Sequence, residues 1–354
     1  MRSRRKPTAF LIVTVAVVIL INFSFYIRWF PIPGRIITPK FTKPDRDTTT
    51  TEITAHLKTE AEQVDHYRIT VIRPPLLTYN CSESSENVVM CLVNFMLSSS
   101  TNFALRQTIR ETVGTLSFLN GLSIKNVFVV AKSTEENVNT KILEESDANK
   151  DILFIDHFDS YRKIVYKTLA ILQWSSENLP PSYFVSKSDD DVRFSASEMS
   201  KHMLHLLNPG AKEIISMEDR LRRIENFPIL CGHTLLINPR TCRDRNSIYY
   251  LSPEEYQFDF FPDYCNGAMY LMPVSTAKRL FQQVRAEQII RMEDVWATGI
   301  LRSKLSEKDQ IVKREPAFAT HFPHLNTSQL QARTIKFHQA QLREIKNYNL
   351  SYCC

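Results

Sequence analysis

Residues 88–97, VVMCLVNFML, are apolar at every position except Asn94. A run of this length without polar alternation suits a strand buried on both faces, the kind found where helices cover both sides of a sheet. The segments that follow keep the same grain. Leu105, Ile109, Val113 and Leu116 recur at helical spacing and predict a helix over 102–118. A strand is predicted at 127–130, a polar helix near 134–148, a strand at 152–155, a helix over 160–174 and a strand at 183–186. Short strands alternating with crossover helices predict an α/β domain with a mostly parallel central sheet.

Composition removes several alternatives. The chain of 354 residues has only 7 glycines, and no two stand at the spacing of GxGxxG or GxxxxGK. A dinucleotide fingerprint and a P-loop are therefore excluded. The net charge of +6 is mild, and Arg2, Arg4, Arg5 and Lys6 supply four positive charges before any acidic residue. No basic stripe interleaved with aromatics follows, which argues against a nucleic-acid partner.

That basic tetrad precedes residues 8–27, TAFLIVTVAVVILINFSFYI, which carry no charge over 20 residues. Such a stretch is long enough to cross a bilayer core as a helix, and the positive flank stays cytoplasmic. The reading is a single-pass type II protein, with residues 1–7 as a cytoplasmic tail and 8–27 as an uncleaved signal-anchor. Residues 28–85, with Pro31, Pro33, Pro39, Pro44, a threonine run and Pro74-Pro75, read as a stem, and 86–354 as the lumenal domain. Asn80, Asn326 and Asn349 begin glycosylation sequons, and seven cysteines without a CxxC favour disulfides over zinc. An odd number leaves at least one thiol free or paired between chains.

Chemistry concentrates in YFVSKSDDDVRF, where an apolar strand runs into Asp189, Asp190 and Asp191. Ligands gather at the carboxyl ends of strands in an open α/β sheet. Three adjacent carboxylates repel one another, and Mg²⁺ or Mn²⁺ relieves that repulsion while keeping positions open for phosphate oxygens. Taken alone, the triplet also reads as a solvated acidic turn or a helix N-cap. Likewise Glu293-Asp294 alone reads as the acidic first turn of a helix.

The triplet has company, in order: LRQTIRETVG (105–114), DILFIDHFDSYRKIVYKT (151–168), FPDYCNGAMYLMP (261–273) and MEDVWATGILRSKL (292–305). This succession resembles the β-1,3-glycosyltransferases of glycosyltransferase family 31, the galactosyl- and N-acetylglucosaminyltransferases of the Golgi. The likeness runs over nearly all of residues 88–342. Val113, Ala131, Lys163-Ile164-Val165, Ala268 and Pro273 depart from the family pattern, but none of these changes removes a carboxylate. The resemblance implies a GT-A-like nucleotide-sugar-binding domain that uses a UDP-sugar donor and Mn²⁺ or Mg²⁺. It implies inverting transfer of galactose or N-acetylglucosamine to a glycan acceptor on glycoprotein or glycolipid, at the Golgi membrane.

By the same resemblance Asp294 is the general base and Asp191 a metal ligand, with Asp189 and Asp190 near ribose and diphosphate. His338 is the preferred second metal ligand and His321 its rival. Arg106, Arg110 and Lys167 are expected to meet the nucleotide, and Tyr264 and Gly267 to border the substrate. A catalytically inactive lectin-like or chaperone relative and a metal-dependent phosphate-ester hydrolase remain the alternatives, the latter not expected to carry the YCNG and EDV segments. A homodimer is compatible with these partners. The topology makes a direct prediction: protease added to sealed microsomes should spare everything beyond about Arg28, with glycan on Asn80. Digestion of the C-terminal domain in intact vesicles would reverse the orientation.

Overall fold

The strand at the centre of the sheet, β2 (Met90–Leu97), is buried at all eight positions. Its side chains alternate between two layers: Val93, Phe95 and Leu97 enter one apolar cluster, and Met90, Leu92 and Met96 face two others on the opposite side. Asn94, the one polar residue, is 0% exposed yet satisfied. Its Nδ2 donates to Asn126 Oδ1 on one neighbouring strand at 3.0 Å, and its Oδ1 accepts from Ser186 Oγ on the other at 2.7 Å. Asn94 stands directly opposite both residues, so the bonds fix the register of three strands at once.

This arrangement comes from a computed structural model, which describes residues 67–77, 90–208, 217–284, 289–306, 311–313, 317–347 and 352–353. The predicted tail, signal-anchor, Asn80 and Asn349 lie outside the described residues. Among the described residues no helix is long and apolar enough to cross a membrane.

Going outward from β2, the chain forms α1 (Phe103–Glu111), β3 (Leu122–Lys132), α2 (Glu136–Asn149) and β4 (Ile152–Phe158). It then returns through α3 (Val165–Asn178) to β5 (Phe184–Asp189), which pairs with the far side of β2. The strands β4, β3, β2 and β5 are parallel, as expected. The strand order reverses between β2 and β5, and their carboxyl ends open the crevice where α/β folds bind ligands. Beyond β5 the sheet becomes mixed. With β6 (Val192–Phe194) lying outside this sheet, β7 (Ile229–Cys231), β8 (Met269–Pro273) and β9 (Ile311–Lys313) complete that flank. There β8 runs antiparallel to both β5 and β7, while β9 is parallel to β7. The helix α4 (Ala196–Leu207) packs on one face, while α3 and α5 (Val274–Gln283) pack on the other.

Two expectations are corrected. The first helix ends at Glu111 rather than 118, because Thr112 leaves helical geometry (φ −123°, ψ −105°). Gly114 then lies so close beneath the Ile109 carbonyl that a Cβ would stand 2.7 Å from that oxygen. The stem, expected to reach residue 85, gives way earlier: β1 (Val71–Arg73) pairs antiparallel with β4, and Ile69 N–H donates to Gln173 Oε1 at 2.8 Å. Tyr67, Ile69 and Val71 pack against the main core, which explains why this segment belongs to the domain.

A disulfide joins Cys231 at the end of β7 to Cys265, Cys91 is also disulfide-bonded, and Cys242 is a free thiol. The predicted sequon residue Asn326 is exposed and caps the last helix, α7 (Thr327–Asn347). Its Oδ1 accepts from Gln329 N–H while its own N–H donates to Gln329 Oε1, both at 3.0 Å, a reciprocal capping box. A glycan on Nδ2 would leave that capping oxygen free.

The turn after β2 is clamped from beneath. Arg106 is 0% exposed; its Nη1 donates to Ser98 Oγ (3.2 Å) and Ser99 O (2.6 Å), and its Nη2 pairs with Glu145 at 2.6 Å. Removing one partner of a buried ion pair costs about 3–5 kcal/mol. Because Arg110 also reaches Glu145, at 2.7 Å, Arg106→Met should cost near the lower end, about 3 kcal/mol in urea unfolding. A loss below about 1 kcal/mol would place the network among ordinary surface pairs.

Candidate active site

The crevice at the β2–β5 switch is a cleft of about 170 Å³. Lys187, Asp189, Gly267, Asp294 and His321 line it. Lys187 and Asp189 are two residues apart on an extended strand and so share a face. Lys187 is 2% exposed, and its Nζ pairs with Asp189 Oδ1 at 2.8 Å and Glu293 Oε1 at 2.6 Å while donating to Gly267 O. Burial by itself would lower the Lys187 pKa, but the fields of Asp189 and Glu293 outweigh it and hold the ammonium above its ordinary value. The motif reading missed this lysine. Its signal was a lone cation inside an otherwise apolar and small-residue strand, FVSKSD.

Glu293 and Asp294 are adjacent but do different work. Glu293 points into the core, where Oε2 accepts from Thr168 Oγ1 (3.0 Å) and Tyr270 OH (3.1 Å). Asp294 caps a π-helical segment, α6 (Val295–Leu301), and turns to the cleft. Its Oδ1 accepts from Val295 N–H at 2.8 Å and its Oδ2 from Gly267 N–H at 2.9 Å. Burial, followed by the charge of Glu293, pushes the Asp294 carboxyl up to about 7, against the lowering effect of those backbone donors and Lys187. A base poised near neutrality is what proton abstraction requires. Gly267 has a steric reason here: a Cβ would lie 2.9 Å from Glu293 Oε1 and 3.3 Å from Asp294 Oδ2.

The three aspartates diverge. Burial, more than any other influence, raises Asp189 to about 6. Asp190 turns toward β2, where its Oδ2 accepts from Ser98 Oγ (2.8 Å) and Asn102 Nδ2 (2.9 Å). Asp191 faces His321, with Oδ2 and Nε2 3.1 Å apart. β10 (Ala319–His321) creates that contact by pairing with β6, which sets His321 opposite Val192. Asp191 therefore meets His321, not His338. The latter sits on α7 with its Nδ1 buried and unpartnered among the described residues, and burial lowers its pKa. Of the two candidate histidines, His321 is the one that stands beside Asp191.

Other expectations change with the geometry. Arg110 spends its guanidinium on Asp151 (2.8 Å) and Glu145 (2.7 Å), and Arg106 is sealed below the Ser98–Ser99 turn. Lys167 pairs with Asp159 at 2.7 Å and donates to Ser98 O at 2.8 Å. Arg106 and Lys167 hold the turn that carries Asp190's partners, and all three cations are paired within the protein. Tyr264 is 7% exposed and packs against Phe261 and beside Gly299, with its phenol in the field of Asp294 and Tyr249 at the edge of the cleft.

Asp191 and His321 fit a divalent cation. Asp191 Oδ1 is buried without a hydrogen-bond partner, beside an imidazole nitrogen. Among the described residues no group of three or more His, Cys, Asp and Glu side chains is placed to hold a metal ion by itself. A cation here would therefore complete its shell with water and substrate phosphate oxygens, the usual habit of Mg²⁺.

The sequence profile of the Galactosyltransferase family matches residues 104–311, more than half of the chain, and the chain belongs to that family. Beta-1,3-galactosyltransferase 1 from Homo sapiens is 26% identical over 217 residues, spanning 61% of this chain and 61% of the relative's own length. UDP-GalNAc:beta-1,3-N-acetylgalactosaminyltransferase 1 from Mus musculus is also 26% identical, over 269 residues, covering 75% of this chain and 74% of that protein. Among solved structures, the galactosyltransferase LgtC with donor and acceptor sugar analogues aligns with 71% of this chain and 96% of its own, at 11% identity and a TM-score of 0.30, a likeness too distant to build on.

The metal assignment predicts that Asp191→Ala and His321→Ala lose Mn²⁺ binding in the presence of UDP, measured by electron paramagnetic resonance, while His338→Ala retains it. Loss of binding in His338→Ala alone would return the role to His338.

Proposed function

We propose that this protein is a metal-dependent, inverting β-1,3-glycosyltransferase that transfers galactose or N-acetylglucosamine from a UDP-sugar to a glycan acceptor. On this reading it works in protein or lipid glycosylation as a single-pass type II protein of the Golgi membrane, with its catalytic domain in the lumen. One observation carries the proposal: the Asp294 carboxylate lines the same cleft at the strand switch as His321, whose Nε2 stands 3.1 Å from Asp191 Oδ2. The names of the two relatives support the β-1,3 linkage and a UDP-sugar donor.

The donor diphosphate lies on the Asp191–His321 side, and the acceptor hydroxyl lies beside Asp294. The hydroxyl oxygen attacks the anomeric carbon while its proton passes to the Asp294 carboxylate. The bond from that carbon to the diphosphate oxygen breaks, and its electron pair leaves with UDP. Asp191 and His321 would hold a divalent cation, whose positive charge would ease departure of the diphosphate. Gly267 and Val295 N–H groups keep the carboxylate aimed, and Glu293, tied to Lys187, is held out of the reaction.

Only ionised Asp294 accepts a proton, so kcat/KM should rise about tenfold per pH unit below about 7 and level off above it. Asp294→Asn keeps the size of the group but cannot take the proton, and should lose roughly 10²–10⁴ in kcat with UDP affinity intact. A profile flat from about pH 5.5 to 8.5, or a normal kcat in Asp294→Asn, contradicts the assignment.

A further inference from the structure

Two tyrosines at the mouth of the cleft are unused by this mechanism. Tyr161 is 64% exposed and Tyr249 is 51% exposed, and both line the same cleft as Asp294. They come from distant segments: Tyr161 from the 3₁₀ turn Tyr161–Lys163 leading into α3, Tyr249 from the loop between β7 and β8. Ile248, 67% exposed, extends the apolar rim. Among the described residues neither phenol oxygen has a hydrogen-bond partner and neither ring packs on another aromatic. Burial, then the fields of Tyr249, Asp294 and Asp189, raise the Tyr161 phenol, as expected where two rings and two carboxylates surround one volume. The wall behind them holds Arg291, whose Nε is ion-paired with Glu255 at 3.5 Å.

We infer that Tyr161 and Tyr249 form the acceptor subsite, a pair of rings on which a pyranose rests with one hydroxyl directed at Asp294. A pyranose has a face of C–H groups and an edge of hydroxyls. Exposed rings cover such a face, and the polar Arg291 guanidinium in the wall suits the edge. Apolar side chains gathered at a cleft mouth mark a binding surface more often than chance exposure does. The inference rests on the proposed function only in taking Asp294 as the base that the hydroxyl meets.

Saturation-transfer NMR on the full chain in detergent, with methyl β-galactoside and methyl β-N-acetylglucosaminide as probes, tests it directly. The expected result is saturation at the sugar C–H protons of one or both probes. That signal should vanish in Tyr249→Ala and in Tyr161→Ala and return in Tyr249→Phe, with melting temperature and UDP binding held. In a transfer assay the alanine variants should raise the acceptor KM about tenfold and leave the donor KM unchanged. No saturation of either glycoside in the wild type, equal saturation in the alanine variants, or a rise in donor KM instead would overturn the platform. Sugar binding that depends on both rings, without transfer from any UDP-sugar, would keep the platform and reject the transferase reading.

Discussion

The cleft is organised around one buried ammonium. Lys187 projects from near the carboxyl end of β5 into a space walled by the Asp189 carboxylate, the Glu293 carboxylate and the Gly267 carbonyl. Without it, two buried carboxylates from segments a hundred residues apart would face each other uncompensated, an expensive arrangement. With it, the end of β5, the Gly267 turn and the start of α6 are fastened together. The carboxylates of the cleft hang from those three segments: Asp191 follows β5, Asp294 follows Glu293, and the Gly267 N–H aims Asp294.

That charge distribution also explains why neighbouring acids behave differently. Glu293 is bound to the lysine and two hydroxyls, whereas Asp294 keeps only two backbone donors and stays half-buried. Burial and the charge of Glu293 then raise it to about 7. Asp189, raised to about 6, shares the effect. Both groups bind protons more tightly folded than unfolded. Their contribution to stability is therefore greatest in acid and falls as pH climbs from the ordinary carboxylate range to about 7. The site is a place where stability is given up for reactivity.

Much of this was legible in the sequence, and the exceptions have physical causes. The parallel core could be read because β2, β3, β4 and β5 are apolar runs bounded by helical spacing, signals contained within ten or so residues. The aspartates at the end of β5 and the Glu293-Asp294 pair stood out because carboxylates beside apolar strands are costly. The roles of Arg106 and Arg110 were not legible. Their spacing puts them on one face, but whether that face meets phosphate or protein depends on Glu145 and Asp151, which approach only after β3 and α2 are in place. The choice between His321 and His338 depends on the pairing of β10 with β6, across 130 residues. The antiparallel flank formed by β7 and β8 carries no local signature of direction, and neither does the Cys231–Cys265 bridge that stiffens it.

The central claim is a single displacement with one base, Asp294, on the face opposite the leaving diphosphate. The anomeric configuration of the product tests it most directly. The protein should be given an α-linked UDP-sugar and the new glycosidic bond read from the coupling of its anomeric proton in the NMR spectrum. A β-glycoside is the predicted result, and an α-glycoside would contradict the account however the variants behave.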